Sequence, residues 1–420
     1  MMNRVSKSNQ GGKVSRSAES TAARQAVVIG SSIAGLLAAH VLGQYFERVT
    51  IIDRDRQLET SGFRPGVPQA RHPHTLLRRG HLILEQHFPG LTRELLAHGA
   101  IAVEAHQELA YFREGDWRLP GQHEDTLSIA CSRPLLESVI YRRLAAQPGI
   151  TILPGHEATY LNMDAHRRQV TGLQLHNRHK PAWSSSWLDA DLVVDASGRQ
   201  SPAPEWLSSL GYMPPAELVV NARLAYATRI YRRPATHAGP WQAMYIQPEA
   251  PDQPHGGMIM PMEDGRWHVT LIGMDGHYPP TDEASFLDYA RQLPTAALYQ
   301  AIAEAEPLTR PIGYRRTESR LRSYDDLPGH LEGFLVYGDA VMAINPLYAQ
   351  GMTAVALGSL ALDKALQAHS AELARGNVTG LAATFQKKLA NVLTPPWQAA
   401  WRQDKRWSNT AVYQTAPAVA

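Results

Sequence analysis

One cysteine, Cys131, stands in 420 residues, a scarcity that rules out an intrachain disulfide and any zinc or iron–sulfur site built on several thiolates. A reducing, cytoplasmic setting fits such a chain. Excess charge is lacking too: 41 basic against 39 acidic residues leave a net +2 with the signs interspersed, so no nucleic-acid partner is expected. No unbroken apolar run reaches the roughly eighteen residues of a spanning helix, and no integral membrane contact is expected. Nor is there an internal repeat, which sets aside solenoids and propellers. What remains is a soluble chain, long enough to build two domains around sizeable cores.

What is there is organised around Ala26 to Asp53. Ala26 to Ile29 is a short apolar run that ends at Gly30, as a buried parallel strand does. Gly30-Ser31-Ser32-Ile33-Ala34-Gly35 follows G-x-G-x-x-G except at its second glycine, where Ser32 stands. Gly30 permits the sharp turn, and Gly35 permits close packing of helix on strand. The helix that follows, with apolar residues at Ile33, Leu37, Val41 and Tyr45, offers unpaired N–H groups and a positive dipole end to a pyrophosphate. A second strand, Val49 to Ile52, ends at Asp53, an acid placed to accept from a ribose hydroxyl. A signal peptide does not fit, because two serines and two glycines break the run and an acid-ended strand follows it.

Along the rest of the chain, residues 1–23 lack a hydrophobic period and read as a disordered arm. The loop Arg54–Arg71 leads to His72 and His74, an H-x-H pair without a neighbouring carboxylate or thiol; it reads as donor and packing groups beside a cofactor, and no metal is assigned. His176 and His179 are read the same way. Leu109–Leu119 reads as a hairpin, and Ser132-Arg133-Pro134 as a helix start. Asp191–Asp195 is a buried strand that ends in Ala196-Ser197-Gly198. From Glu217 to Met274 the pattern changes to strands: Leu218–Tyr231, Trp241–Gln247, Gly257–Met262 and Trp267–Gly273. That is a second, mostly antiparallel domain, with candidate pocket lining at Ala225, Met244, Ile246, Met258, Met260 and Leu271. Phe334–Val336 leads to Tyr337-Gly338-Asp339, a loop with Asn345-Pro346, and a helix from Gln350-Gly351-Met352. Trp397, Trp401 and Trp407 suggest a final packed helix.

The three landmarks, in this order, resemble the single-component FAD monooxygenases of the para-hydroxybenzoate hydroxylase fold from Gln25 to about Ala368. The stretches GVPQARHPHTLL, IACSRPLLE, DLVVDASGRQSP, LAYATRIYRRP and GDAVMAINPLYAQGM look most like bacterial flavin epoxidases of polyether pathways. The resemblance implies an α/β (α+β overall) protein: a discontinuous Rossmann-like FAD-binding domain (24–104, 125–205, 315–370), a mostly antiparallel β-sheet substrate domain (105–124, 206–314) and a C-terminal helical tail (371–420). It implies that Gly30, Ser32, Ala34, Gly35, Asp53, Arg54 and Arg133 hold the ADP half of FAD. Asp339 would take the ribitol, and Pro346, Gln350, Gly351 and Met352 would lie at the flavin ring, with no residue assigned as acid or base.

The implied reaction is transfer of one atom of O2, through a flavin C4a-hydroperoxide, to an alkene of an apolar polyketide or terpenoid-like substrate in secondary metabolism. A polyene is the candidate substrate. Ser197 stands where the hydroxylases carry the aspartate of an Asp-Gly pair, so electrons are expected from a separate flavin reductase, or slowly from a reduced nicotinamide. An aromatic hydroxylase of the same fold, a geranylgeranyl-reductase-type reductase or desaturase, and a non-enzymatic flavin-binding protein are the alternatives. A flavin halogenase is disfavoured: Gly257-Met258-Ile259-Met260-Pro261 replaces W-x-W-x-I-P, and no lysine lies between Lys13 and Lys180.

Overall fold

The computed structural model describes residues 24–56, 62–118, 127–166, 168–178, 184–237 and 239–415. The expected arm, residues 1–23, and His179 lie outside them.

Ala26, Val27 and Val28 are fully buried and carry no polar side-chain atom, so their peptide groups must be satisfied by neighbouring strands on both edges. Five strands do this in one sheet: β1 (Gln25–Ile29), β2 (Arg48–Asp53), β3 (Ile150–Pro154), β4 (Leu192–Asp195) and β5 (Phe334–Val336). All pairs are parallel and the spatial order is β5-β4-β1-β2-β3. The order reverses beside β1, which opens a crevice at the carboxyl ends of β1 and β4.

Four helices bear on the site: α1 (Ile33–Leu42), α2 (Arg133–Ala145), α3 (Gly351–Ala368) and α4 (Leu381–Asp404). α1 is buried nearly all round, because the sheet, α2 and α3 each cover a side of it. The sequence showed one apolar face there; the structure uses Leu36, Ala38, Ala39 and Leu42 as well. No helix among the described residues is long and apolar enough to cross a membrane.

The second body is a seven-stranded sheet in the order Ile312–Tyr314, Ala225–Arg232, Arg266–Gly273, His255–Met262, Ala243–Ile246, Leu109–Arg113, Asp116–Arg118. Its pairs are antiparallel except that Ala243–Ile246 runs parallel to Leu109–Arg113. Helices Glu283–Arg291 and Ala297–Ile302 cover one face through Phe286, Leu298 and Ile302.

Two expectations need correction. Leu218–Tyr231 is not one strand: Asn221 Oδ1 accepts from Arg223 N at 2.8 Å, Arg223 turns to a φ of 51°, and the chain leaves one sheet for another. Its first part, Glu217–Asn221, pairs with Ser319–Arg322 and with Ala411–Thr415. The tail is therefore not purely helical, since its last described residues form an edge strand. A further three-stranded antiparallel sheet, His156–Met163, Val170–Asn177 and Ser185–Asp189, lies beyond β3.

His40 of α1 packs edge-on against His87, 5.2 Å between centroids, and its Nδ1 is buried without a partner. Burial, and then the neighbouring His87, bring its pKa down to about 4. Its folded pKa lies below the ordinary value near 6.5, so its neutral form stabilises the fold fully above that pH. That contribution is lost as pH falls from 6.5 towards 4. The wild type should therefore lose stability relative to His40→Leu across this window, measured by urea unfolding at pH 7.5, 6 and 5; a constant gap between the two proteins would exclude His40 as the source.

Candidate cofactor site

Gly30 has a φ of 99°, and a Cβ on it would come within 2.7 Å of the Ala196 carbonyl oxygen. A Cβ on Gly35 would lie 1.8 Å from the Gly30 carbonyl oxygen. Gly338, at a φ of 70°, would meet the Cβ of Ala34 at 2.7 Å. The turn after β4 thus meets the turn after β1 backbone to backbone, and the turn after β5 meets the first turn of α1 at the Ala34 side chain, approaches that glycine permits. These contacts bring the three sequence landmarks to one crevice.

The acid after β2 is already engaged. Asp53 Oδ2 accepts from Ser31 N and Ser31 Oγ, both at 2.7 Å, and Oδ1 accepts from Asp55 N at 2.8 Å. Ser32 Oγ donates to Glu137 Oε1 at 2.6 Å and accepts from Arg133 Nη2 at 2.9 Å. Glu137, one turn along α2, also accepts from Arg133 Nε at 2.8 Å, Arg64 Nη2 at 3.0 Å and the α1 N–H of Ile33 at 3.3 Å. Arg64 reaches Ser31 O at 3.2 Å and Asp53 Oδ2 at 3.4 Å. Burial would raise the Glu137 pKa, but Arg133 and then Arg64 outweigh it and hold the carboxyl at about 2.

Sequence reading missed Arg64 and Glu137. Glu137 had a faint signal, standing four residues after Arg133 at ion-pair spacing on a helix; Arg64 lies in an aperiodic loop and had none. Arg54 faces solvent beside the buried Asp53 and Asp55.

Towards the other end, Arg133 and Met352 line one small cavity with His74, Cys131 and Ser132. Burial, with Arg133 next, lowers His74 to about 3, and burial raises the Cys131 thiol to about 12, so both are neutral. Among the described residues none donates a hydrogen bond to the Asp339 carboxylate; burial raises its pKa, while Arg199 and Arg133 oppose the rise. Ser197 Oγ and Thr353 Oγ1 are buried without partners, and a Cβ on Gly351 would meet nothing within 4 Å. Gln350 and Gly351 are half-buried at the start of α3, behind the exposed Pro346. An acid without a donor and open space at the N-terminus of α3 fit a polar, partly anionic cofactor.

The expected pocket lining is largely overturned. Met244, Ile246 and Leu271 belong to the core under the helices, and strand alternation puts Ala225 on that face too. Met258 and Met260 lie on the opposite face, with Tyr226, Tyr245, His268 and Thr270. Leu347, beside Pro346, packs against the cluster that holds Tyr226, Ile272 and Trp407. His72, expected as a donor beside a cofactor, is buried here with Nδ1 2.8 Å from Thr228 Oγ1, which lies 2.7 Å from Thr270 Oγ1. This face is aromatic and polar as well as apolar.

Residues 23–377 match the family described as FAD binding domain. The chain belongs to that family. It is 33% identical over 379 residues to Protein Rv3254 of Mycobacterium tuberculosis, covering 89% of this chain and 78% of that protein. Its fold is similar to p-nitrophenol 4-monooxygenase PnpA of Pseudomonas putida, with TM-score 0.64, 17% identity and coverage of 90% and 88% of the two chains. It is also similar to PqsL of Pseudomonas aeruginosa, a probable FAD-dependent monooxygenase, with TM-score 0.60, 16% identity and coverage of 91% and 94%. Flavin-dependent halogenases share the fold as well.

Because Glu137 is the shared acceptor of two buried arginines, Glu137→Ala should cost about 3–5 kcal/mol, the usual penalty for leaving a buried charge unpaired. Glu137→Gln, which keeps an acceptor, should cost less. Chemical denaturation of the two variants checks this, and equal small losses would show that Arg64 and Arg133 find other partners.

Proposed function

We propose that this chain is an FAD-dependent monooxygenase that places one oxygen atom from O2 on an apolar substrate. Epoxidation of an alkene in a polyketide or terpenoid-like molecule of secondary metabolism is the reaction, with a polyene as the substrate class. The observation that carries the reading is the close approach of the β4 turn to Gly30 and of the Gly338 turn, next to Asp339, to Ala34 of α1. The fold shared with PnpA and PqsL supports it.

In this reading Gly30, Ser32, Ala34, Gly35 and Asp53 hold the ADP half, Arg133 contributes charge, Asp339 takes the ribitol, and Gly351 and Met352 border the ring. Reduced FAD, when bound, supplies the activation of O2 from which one oxygen atom is transferred and the other leaves as water. The residues of the chain position and exclude. The N-terminus of α3 favours negative charge by about 0.3–2 kcal/mol. Met258, Met260, Tyr226 and Leu347 present the surface that keeps water from the substrate. No side chain is required to remove a proton from an alkene. Ser197 in place of an aspartate supports electron delivery by a separate flavin reductase, or slowly by a reduced nicotinamide.

A second reading, hydroxylation of an aromatic ring, is favoured by one observation. The line His72–Thr228–Thr270 lies on the same face as Tyr226 and Tyr245, polar groups that an alkene does not need but a phenol can use.

The purified protein should be yellow and release FAD on denaturation, and Asp339→Ala should lose the cofactor while Cys131→Ser keeps it. Flavin at full stoichiometry in Asp339→Ala would remove that residue from the site. To decide the reaction, the enzyme is reduced anaerobically, given a polyene or a phenol, and exposed to labelled O2. One labelled atom in an epoxide is expected; label found only in a hydroxylated phenol would favour the second reading, and unlabelled product would defeat both.

A further inference from the structure

Asp404, the last residue of α4, is completely buried, and among the described residues no cationic side chain pairs with it. A carboxylate taken out of water without a cation is costly unless donors surround it. Asn345 Nδ2 and the Tyr348 hydroxyl both donate to its Oδ1 at 2.7 Å, and the Ser319 hydroxyl donates to Oδ2 at 3.1 Å. Ser319 Oγ in turn accepts from Asn345 N at 3.0 Å. With its amide nitrogen committed to Asp404, Asn345 turns its Oδ1 to Leu347 N at 3.0 Å.

Both ends of the segment Asn345–Tyr348 are therefore tied to one carboxylate. The next residue, Ala349, takes a left-handed φ of 53°, and α3 begins at Gly351. The C-terminal segment anchors the acid in its turn. Trp407 N and the Thr410 hydroxyl donate to the Asp404 carbonyl, Trp407 packs with Tyr226 and Ile272, and Ala411–Thr415 pairs with Glu217–Asn221.

We propose that Asp404 is a positioning residue that sets the shape of the loop before α3, so that the C-terminal segment, which carries no cofactor motif, determines the geometry of the flavin-ring end of the site. The proposal rests on the FAD reading above and deepens it.

The test uses the full chain as wild type, Asp404→Ala, Asp404→Asn and, as a control, Asp363→Ala, which removes a hydrogen bond from Tyr45 to α3. Asparagine can offer its oxygen to Asn345 and Tyr348 and its amide to Ser319, so it is the conservative rescue. FAD affinity by fluorescence, the visible spectrum and midpoint potential of the bound flavin, and thermal unfolding are measured. Asp404→Ala should weaken FAD binding about tenfold, the equivalent of one lost hydrogen bond to a charged group, and shift the spectrum and potential of the flavin that stays bound. Asp404→Asn should restore most of both, and Asp363→Ala should lower thermal stability without moving either. If Asp404→Ala does not fold, Tyr348→Phe, which removes one donor alone, should show the same shift at smaller size. Unchanged affinity, spectrum and potential in Asp404→Ala or, if it does not fold, in Tyr348→Phe would overturn the role. An equal shift in Asp363→Ala would also overturn it. A wild-type protein that takes up no FAD would overturn the functional reading and this role together, and is told apart because it needs no substitution.

Discussion

The carbonyl oxygen of Gly30 occupies the space that any side chain on Gly35 would need, 1.8 Å from the position of its first carbon. α1 can therefore sit directly over the end of β1, and the rest of the site is placed from there. With α1 seated, the turn after β4 closes on Gly30 and the turn after β5 closes on Ala34. A bulkier residue at any of these points would move a helix and a sheet strand apart, because buried layers at native density have no slack to absorb it.

The two ends of the crevice are held by different physics. At the Asp53 end, Asp53, Asp55 and Glu137 face Arg64 and Arg133, and every one of these groups finds an opposite charge within salt-bridge distance. That end is ordered by its own ion pairs, whose geometry is stiff because each carboxylate serves several donors. Around Asp339 no such network is present among the described residues. Among the described residues the Asp339 carboxylate accepts no hydrogen bond and the hydroxyls of Ser197 and Thr353 find no partner, and the loop leading to α3 is gripped from behind by Asp404.

Much of this was legible in the residues. The turn Gly30–Gly35, the acid Asp53, the apolar strand before Asp195 and the strand before Gly338 follow from short-range rules: glycine where φ is positive, apolar runs where both faces are covered, an acid where a strand ends. Other features were misread for a physical reason. The break at Asn221–Arg223 depends on one side-chain hydrogen bond to the backbone, which leaves no mark on hydrophobic period. Met244, Ile246 and Leu271 alternate correctly, but alternation does not say which face meets the helices and which meets the crevice.

By itself, then, the sequence determined the elements of the nucleotide unit, the presence of a second β-rich domain and the order of three turns fit for a dinucleotide. These are local properties, set by neighbours a few residues apart. Only the tertiary structure decided that Glu137 and Arg64 pair beside Ser31, that His72 joins Thr228 of the seven-stranded sheet, and that Asp404 and the final strand support the loop before α3. Each of those depends on strand pairing and helix packing between segments far apart in the chain. No local pattern records such pairings, because the free energy that selects them comes from the burial of the whole core.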